Sequence, residues 1–283
     1  MKTPRISICI PAYRAERHLA ATLASVRAQS FDDWELIVVE DGSRDSTESL
    51  VNAFAATVPQ PVRYLRHEQN RKLPATRNTA HAAAVAPCLA LLDADDLWTP
   101  DHLATSLALL GDPTLPAATF AACEIFDDAT DATLGHRTLA PKDYDHIAEA
   151  LHSGRLIAQP SGVLITRAAL NRAGGFDEIF PICNDIDFWI RLARAGVPFR
   201  FTGHETLRYR KHPDAMSRRS ADLIAELARV HFKHRAWAAI PAPARRARLR
   251  RLLLSAARMN ARSRPARALH ELFNALVFPC FIR

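Results

Sequence analysis

Leu91-Leu92-Asp93-Ala94-Asp95-Asp96 decides how this chain is read, because an apolar run that starts at Cys88 stops abruptly in three carboxylates. A run of that length has the form of a buried strand. Carboxylates crowded at its end repel one another and raise each other's pKa unless a metal ion or a basic group compensates. The Asp-x-Asp spacing presents two hard oxygen ligands of the kind that suit Mg²⁺ or Mn²⁺, ions that keep several waters and bridge to phosphates. Taken alone the spacing also describes ordinary solvated acidic loops, so its meaning depends on the sequence around it.

Upstream, strand and helix patterns alternate. Ile6–Ile10 reads as a strand and Glu16–Ala28 as a helix with Leu19, Leu23 and Val26 on one face. Trp34–Val39 is a strand, Asp45–Ala55 a helix, Val62–Leu65 a strand, and Pro74–Val85 a helix with proline in its first turn. The pattern predicts an α/β fold with a mixed, mostly parallel sheet, helices on both faces, and ligands at the carboxyl ends of the strands. Downstream, Pro100–Leu110 and Asn184–Ala195 read as helices, and Ala117–Phe126, Gly162–Thr166 and Phe199–Tyr209 as extended. Residues 127–155 read as an acidic, loop-rich surface, and everything after Asp214 as helical.

The 283 residues, 48% of them hydrophobic, are enough for a sizeable core. The five cysteines have no C-x-x-C spacing and suggest a reducing, cytoplasmic setting. No leader is expected ahead of the first strand, and no apolar run reaches the roughly 18 residues of a membrane span. The net charge of +7 is uneven: residues 1–220 carry 24 Lys and Arg against 27 Asp and Glu, and residues 221–283 carry 13 against 3. A division into a 1–215 domain and a 216–283 basic helical extension follows. The extension's arginines lie among helical apolar positions rather than interleaved aromatics. That favours an anionic membrane surface, contacted through 241–283 at the inner face of the cell membrane, or a partner helix over nucleic acid, with a solvated helical face the plainer reading.

The successive strand ends carry Pro11-Ala12-Tyr13, then Glu40-Asp41-Gly42-Ser43, then Asn70-Arg71-Lys72 with Ala75-Thr76-Arg77-Asn78, then Asp93-Ala94-Asp95-Asp96. In order and spacing, residues 5–215 resemble the family 2 glycosyltransferases of the GT-A fold. The resemblance implies an inverting enzyme that moves a single sugar from a nucleoside-diphosphate sugar, on family frequency a UDP-sugar, to a hydroxyl of a cell-envelope glycan or lipid-linked acceptor. No Gln-x-x-Arg-Trp of processive synthases is present; Lys233-His234-Arg235-Ala236-Trp237 stands instead.

Carried onto this chain, the resemblance gives Pro11, Ala12 and Tyr13 the floor of the nucleoside pocket and Asp41 a base N–H, where capping of the following helix is the competing account. Arg71 and Arg77 with Lys72 would face the diphosphate, where solvated surface charge is the plainer reading. Asp93 and Ala94 would lie on the donor, and Asp95 with His212 on a Mn²⁺ or Mg²⁺ ion; Ser217 completes that segment. Asp185 would be the general base, against a plain helix-terminus charge, and Asn184 departs from the usual Glu. Gly175, Phe176, Asn184 and Trp189 would line the acceptor side, with Asp187 supporting the helix or that site. A Rossmann dehydrogenase or P-loop enzyme is disfavoured, because no G-x-G-x-x-G or G-x-x-x-x-G-K-[ST] follows the first strand. The rival from another class is a non-catalytic nucleotide-sugar or anionic-surface binding protein on the same fold.

Overall fold

The computed structural model describes residues 3–213, 220–261 and 264–277; Ser217, Cys280 and the expected 215/216 boundary lie outside them. In chain order the elements are β1 (Ile6–Ala12), α1 (Leu19–Arg27), β2 (Trp34–Glu40), α2 (Thr47–Ala55), β3 (Val62–Arg66), α3 (Leu73–Ala83) and β4 (Cys88–Leu91). Then come β5 (Leu97–Trp98), α4 (His102–Leu110), β6 (Ala118–Asp127), β7 (Thr133–Arg137), α5 (Ile147–Ser153), β8 (Val163–Thr166), α6 (Arg167–Ala173), α7 (Asn184–Arg194) and β9 (Phe199–Lys211). Helices α8 (Ala221–Lys233), α9 (Ala242–Asn260) and α10 (Pro265–Val277) follow.

One mixed sheet runs β3-β2-β1-β4-β8-β6-β9-β5, with β7 paired to β6. Strands β1 to β4 are mutually parallel, so their carboxyl ends open on one side. Strand β8 enters antiparallel between β4 and β6, and β6 pairs parallel with β9.

Alternation along the strands divides the core. Ile6, Ile8 and Ile10 of β1 and Leu36 and Val38 of β2 join Leu19, Leu23, Val51 and Leu103 on one face. Cys9, Ile37 and Val39 point the other way, to Ala80, Phe188, Trp189 and Leu192. A third core unites Phe180, Cys183 and Ile190 with Ile224, Val230, Trp237, Leu249, Leu253 and Ala256, so α8 and α9 pack directly on the α7 region.

Residues 127–155 contain more regular structure than their polarity predicts. The acidic turn is organised by Asp127, whose carboxylate accepts from Ala129 N and Thr130 N at 3.1 and 3.0 Å and starts the β6–β7 hairpin. Strand β7 is an exposed edge of sequence Thr-Leu-Gly-His-Arg, and α5 is a single short helix; neither carries an apolar period strong enough to read. Helix α6 is likewise short and begins at a Thr166 cap, whose hydroxyl accepts from Ala169 N at 3.1 Å.

Candidate active site

Arg77 lies at the centre of the strand-end cleft. Helix α3 buries it to 3% exposure, where its guanidinium donates to Asp93 Oδ1 at 2.6 Å and to Asn184 Oδ1 at 2.7 Å and stacks over the Phe176 ring. The end of β4 is thereby tied to the first turn of α7. Next to Asn184, Asp185 is partly exposed, and its Oδ1 accepts from Ile186 N at 2.7 Å. Burial pushes the Asp185 carboxyl up to about 6 against the opposing pull of Arg77. A carboxyl titrating there is poised to accept a proton near neutrality.

Asp41, at the end of β2, is 2% exposed and acts as a clamp. Its Oδ1 accepts from Arg71 N at 2.8 Å and lies 2.7 Å from His67 Nδ1, and its Oδ2 accepts from Lys72 N at 2.9 Å. The competing capping role falls instead to Asp45, whose Oδ1 accepts from Thr47 N at the start of α2. The Arg71 and Lys72 backbone is thus pinned to β2, with Lys72 at φ 75°, while both side chains project outward. Gly42 permits the approach, since a Cβ there would lie 2.6 Å from Gln69 C and its φ is +75°. At the end of β1, Pro11 and Ala12 are buried and Tyr13 is 46% exposed at the rim, with the Arg14 guanidinium over its ring.

The three carboxylates of 93–96 have separate fates. Asp93 meets Arg77. Asp95 stays 36% exposed with Oδ2 2.9 Å from His212 Nε2, and His212 Nδ1 is left without a hydrogen-bond partner. Asp96 turns inward to 1% exposure, accepting from Ser161 Oγ at 2.5 Å and Arg210 N at 3.0 Å; burial, with Asp95 and Asp93 nearby, holds its carboxyl well above the usual range. The Ala94 carbonyl accepts from Thr22 Oγ1 at 2.9 Å. Among the described residues no group of three or more His, Cys, Asp and Glu converges as a closed metal cage. The Asp95–His212 pair, with Asp95 36% and His212 9% exposed, offers one oxygen and one nitrogen donor, a set compatible with a divalent ion whose other ligands come from elsewhere.

On the far side of Asp185, the 174–178 loop is locked to α3. Asn78 Nδ2 donates to the Phe176 carbonyl at 2.9 Å and Phe176 N donates to Asn78 Oδ1 at 2.7 Å. A Cβ at Gly175 would stand 2.6 Å from Asn78 Oδ1 and push that amide off its bond to Phe176 N. Phe176 is 3% exposed under Arg77, and Trp189 is 1% exposed with its indole donating to Ala158 O at 3.1 Å. The acceptor-side reading of Trp189 is therefore corrected: α7 turns that ring into the second core, away from solvent.

Asp187 is fully buried and met by Arg191 Nε at 2.8 Å, Lys233 Nζ at 2.6 Å and His234 Nε2 at 2.8 Å, which hold its carboxyl well below the usual range despite burial. It anchors α8 to α7 rather than facing a substrate. Sequence reasoning missed the clamping roles of Asn78, His67 and Asp96. Asn78 was adjacent to a singled-out arginine, but nothing in the local pattern pairs it with a loop 98 residues away.

The model for Glycosyl transferase family 2 matches residues 7–175. The Escherichia coli UDP-Glc:alpha-D-GlcNAc-diphosphoundecaprenol beta-1,3-glucosyltransferase WfgD is 32% identical over 105 residues, 37% of this chain and 40% of that protein. The uncharacterized protein MT1568 of Mycobacterium tuberculosis is 30% identical over 227 residues, 75% of this chain and 68% of that protein. Several curated relatives are matched over only 38 to 45% of their own length. Among solved structures, S. aureus TarS 1-349 in complex with UDP-GlcNAc superposes with a TM-score of 0.69 at 17% identity, covering 96% of this chain and 79% of that one. The mannosyltransferase PcManGT from Pyrobaculum calidifontis, in complex with GDP-Man and Mn2+, gives 0.60 at 20% identity, covering 99% of this chain and 87% of that one. These neighbours share the GT-A architecture that the family resemblance implied. The family match takes in Asp41, Asp93 and Asp95 at the strand ends and Arg77 on α3, and the chain belongs to Glycosyl transferase family 2.

Proposed function

We propose that the chain transfers a single sugar, with inversion, from a UDP-sugar to a hydroxyl of a lipid-linked or cell-envelope glycan. The observation that carries the reading is the Arg77 bridge, which sets Asp93 and Asn184 beside a carboxyl raised to about 6 at Asp185. The solved neighbour that holds UDP-GlcNAc and the relative named for a UDP-Glc donor and a diphosphoundecaprenol acceptor support the choice of substrates.

In this reading Tyr13, Pro11 and Ala12 bound the nucleoside. Asp41 Oδ2 keeps one lone pair for a base N–H beside its bond to Lys72 N. The exposed side chains of Arg71 and Lys72 face the diphosphate, and Asp93 and Ala94 lie along the ribose and sugar. Asp95 and His212 would hold Mn²⁺ or Mg²⁺, which when bound supplies Lewis-acid stabilisation of the departing diphosphate. Asp185 takes the proton of the acceptor hydroxyl, whose oxygen forms the new bond to the anomeric carbon. The bond from that carbon to the diphosphate breaks from the opposite face, and its electron pair leaves with the nucleotide. A single displacement inverts the anomeric configuration.

The test is release of UDP from a panel of UDP-sugars by the purified chain with Mn²⁺, alongside Asp185→Asn and Asp95→Asn. One donor should be turned over. Asp185→Asn should lose at least about 10²-fold in rate while still binding donor, as expected for removal of a general base, and Asp95→Asn should lose the dependence on added metal. No turnover of any donor, together with nucleotide binding that ignores metal, would reject the reading in favour of a binding protein.

A further inference from the structure

Helix α10 packs inside out. Its buried positions are Ala268, Glu271, Asn274 and Ala275, whereas Leu269, Phe273 and Leu276 are 69%, 61% and 69% exposed and Leu272 42%. Those four recur at i, i+3, i+4 and i+7, a stripe about 100° wide along one side of the helix. A helix that turns glutamate and asparagine toward its neighbour and leucine and phenylalanine toward water presents a face built for an apolar medium.

The charge around the stripe identifies that medium. Residues 221–283 carry 13 Lys and Arg and 3 acids. All the acids are spent within the fold. Glu226 is 6% exposed and accepts from Ile182 N and Cys183 N at 2.7 Å each, Glu271 is 7% exposed, and Asp222 is bridged by Arg264 and Arg267. Arg229 of α8, Arg235 just beyond it, and Arg250, Arg251 and Arg258 of α9 remain exposed, so the outward charge beside α10 is positive. No helix among the described residues is long and apolar enough to cross a membrane, so the stripe has to act from the surface.

We infer that α10 lies in the headgroup layer of an anionic bilayer, with Leu269, Leu272, Phe273 and Leu276 immersed and the arginines of α8 and α9 on lipid phosphates. The lipid-linked acceptor of the proposed function gives this docking its purpose, and to that extent it rests on that reading; the apolar stripe and the one-signed surface are the tail's own.

The experiment is co-sedimentation of the full chain with vesicles of pure phosphatidylcholine and of equimolar phosphatidylcholine and phosphatidylglycerol, using wild type and Leu269→Ser/Phe273→Ser. Both replaced side chains are exposed, so the fold is retained, and circular dichroism checks this. Wild type should bind the anionic vesicles and lose binding in high salt. The variant should bind at least about 10-fold more weakly, the least expected from withdrawing two large apolar groups from lipid. UDP release from a soluble donor by the variant should match wild type, which separates failure of docking from failure of the transfer reading. Equal binding by both proteins, or a concentration-dependent dimer that the variant abolishes without any vesicle binding by wild type, would overturn the inference.

Discussion

Replacing Arg77 by methionine removes a buried cation while keeping most of the side-chain volume. The guanidinium is 3% exposed and makes two short bonds, to Asp93 at 2.6 Å and Asn184 at 2.7 Å. Breaking a fully buried ion pair costs about 3–5 kcal/mol, because the remaining charge is left uncompensated. The Asp93 side chain is 26% exposed and recovers part of its hydration, which brings the expected loss to about 2–3 kcal/mol. For a domain of this size that is a fall in Tm of about 4–6 °C. A second, independent readout is chemical. Arg77 opposes the upward push of burial on Asp185, so its removal should carry that carboxyl further above about 6. In the proposed mechanism the carboxylate is the reactive form, so activity should fall as pH drops through this pKa, and the acidic limb of kcat/KM should move to higher pH in Arg77→Met. Thermal unfolding and a pH profile of UDP release measure the two effects. Adding Asp93→Asn should restore part of the Tm, because the stranded charge is gone. A Tm within about 1 °C of wild type together with an unmoved acidic limb would refute the assignment of Arg77 as the centre of the site.

Asp187→Asn tests the link between α7 and the C-terminal helices. The Asp187 carboxyl is depressed in the fold, so its contribution to stability is fully present above the unfolded carboxyl pKa of about 3.9 and is lost as pH falls toward the lower folded value. Urea unfolding at neutral pH should show the variant weaker than wild type by about 3 kcal/mol, with the gap narrowing in acid; a gap that does not change with pH would deny the charge its role. Gly42→Ala should cost at least about 2 kcal/mol, since the new methyl meets the Gln69 backbone and the residue must hold a positive φ. Donor affinity measured by calorimetry should fall with it, and a variant as stable and as tight as wild type would show that the 69–72 loop is not seated by this contact.

The parallel half of the sheet was legible because β1, β2 and β4 are short apolar runs separated by helical periods, and their ends carried the polar clusters that define the cleft. Local chemistry singled out the carboxylates of 93–96, and the family resemblance pointed to Arg77, Asp185 and His212. What stayed illegible depends on contacts between distant segments. Asp95 and Asp96 are neighbours of identical chemistry, yet one faces solvent and the other is enclosed by Ser161 and Arg210, a difference set by β8 and β9 and by nothing within the motif. The resemblance placed Trp189 on the acceptor side, and only the rotation of α7 against the second core decides its direction. The edge strand β7 escaped notice because an exposed strand needs no apolar alternation.

Arg77 and Asn78 are consecutive, and successive helical residues point about 100° apart. The first reaches Asp93 and Asn184; the second holds the Phe176 backbone against Gly175. One short helix therefore sets the phase of two walls of the cleft at once. Inserting or deleting a single residue in α3 would turn both side chains away from their partners together. A change of length in α3 would therefore disturb both walls in a single step, so the register of the cleft is carried by one helix rather than by two independent loops.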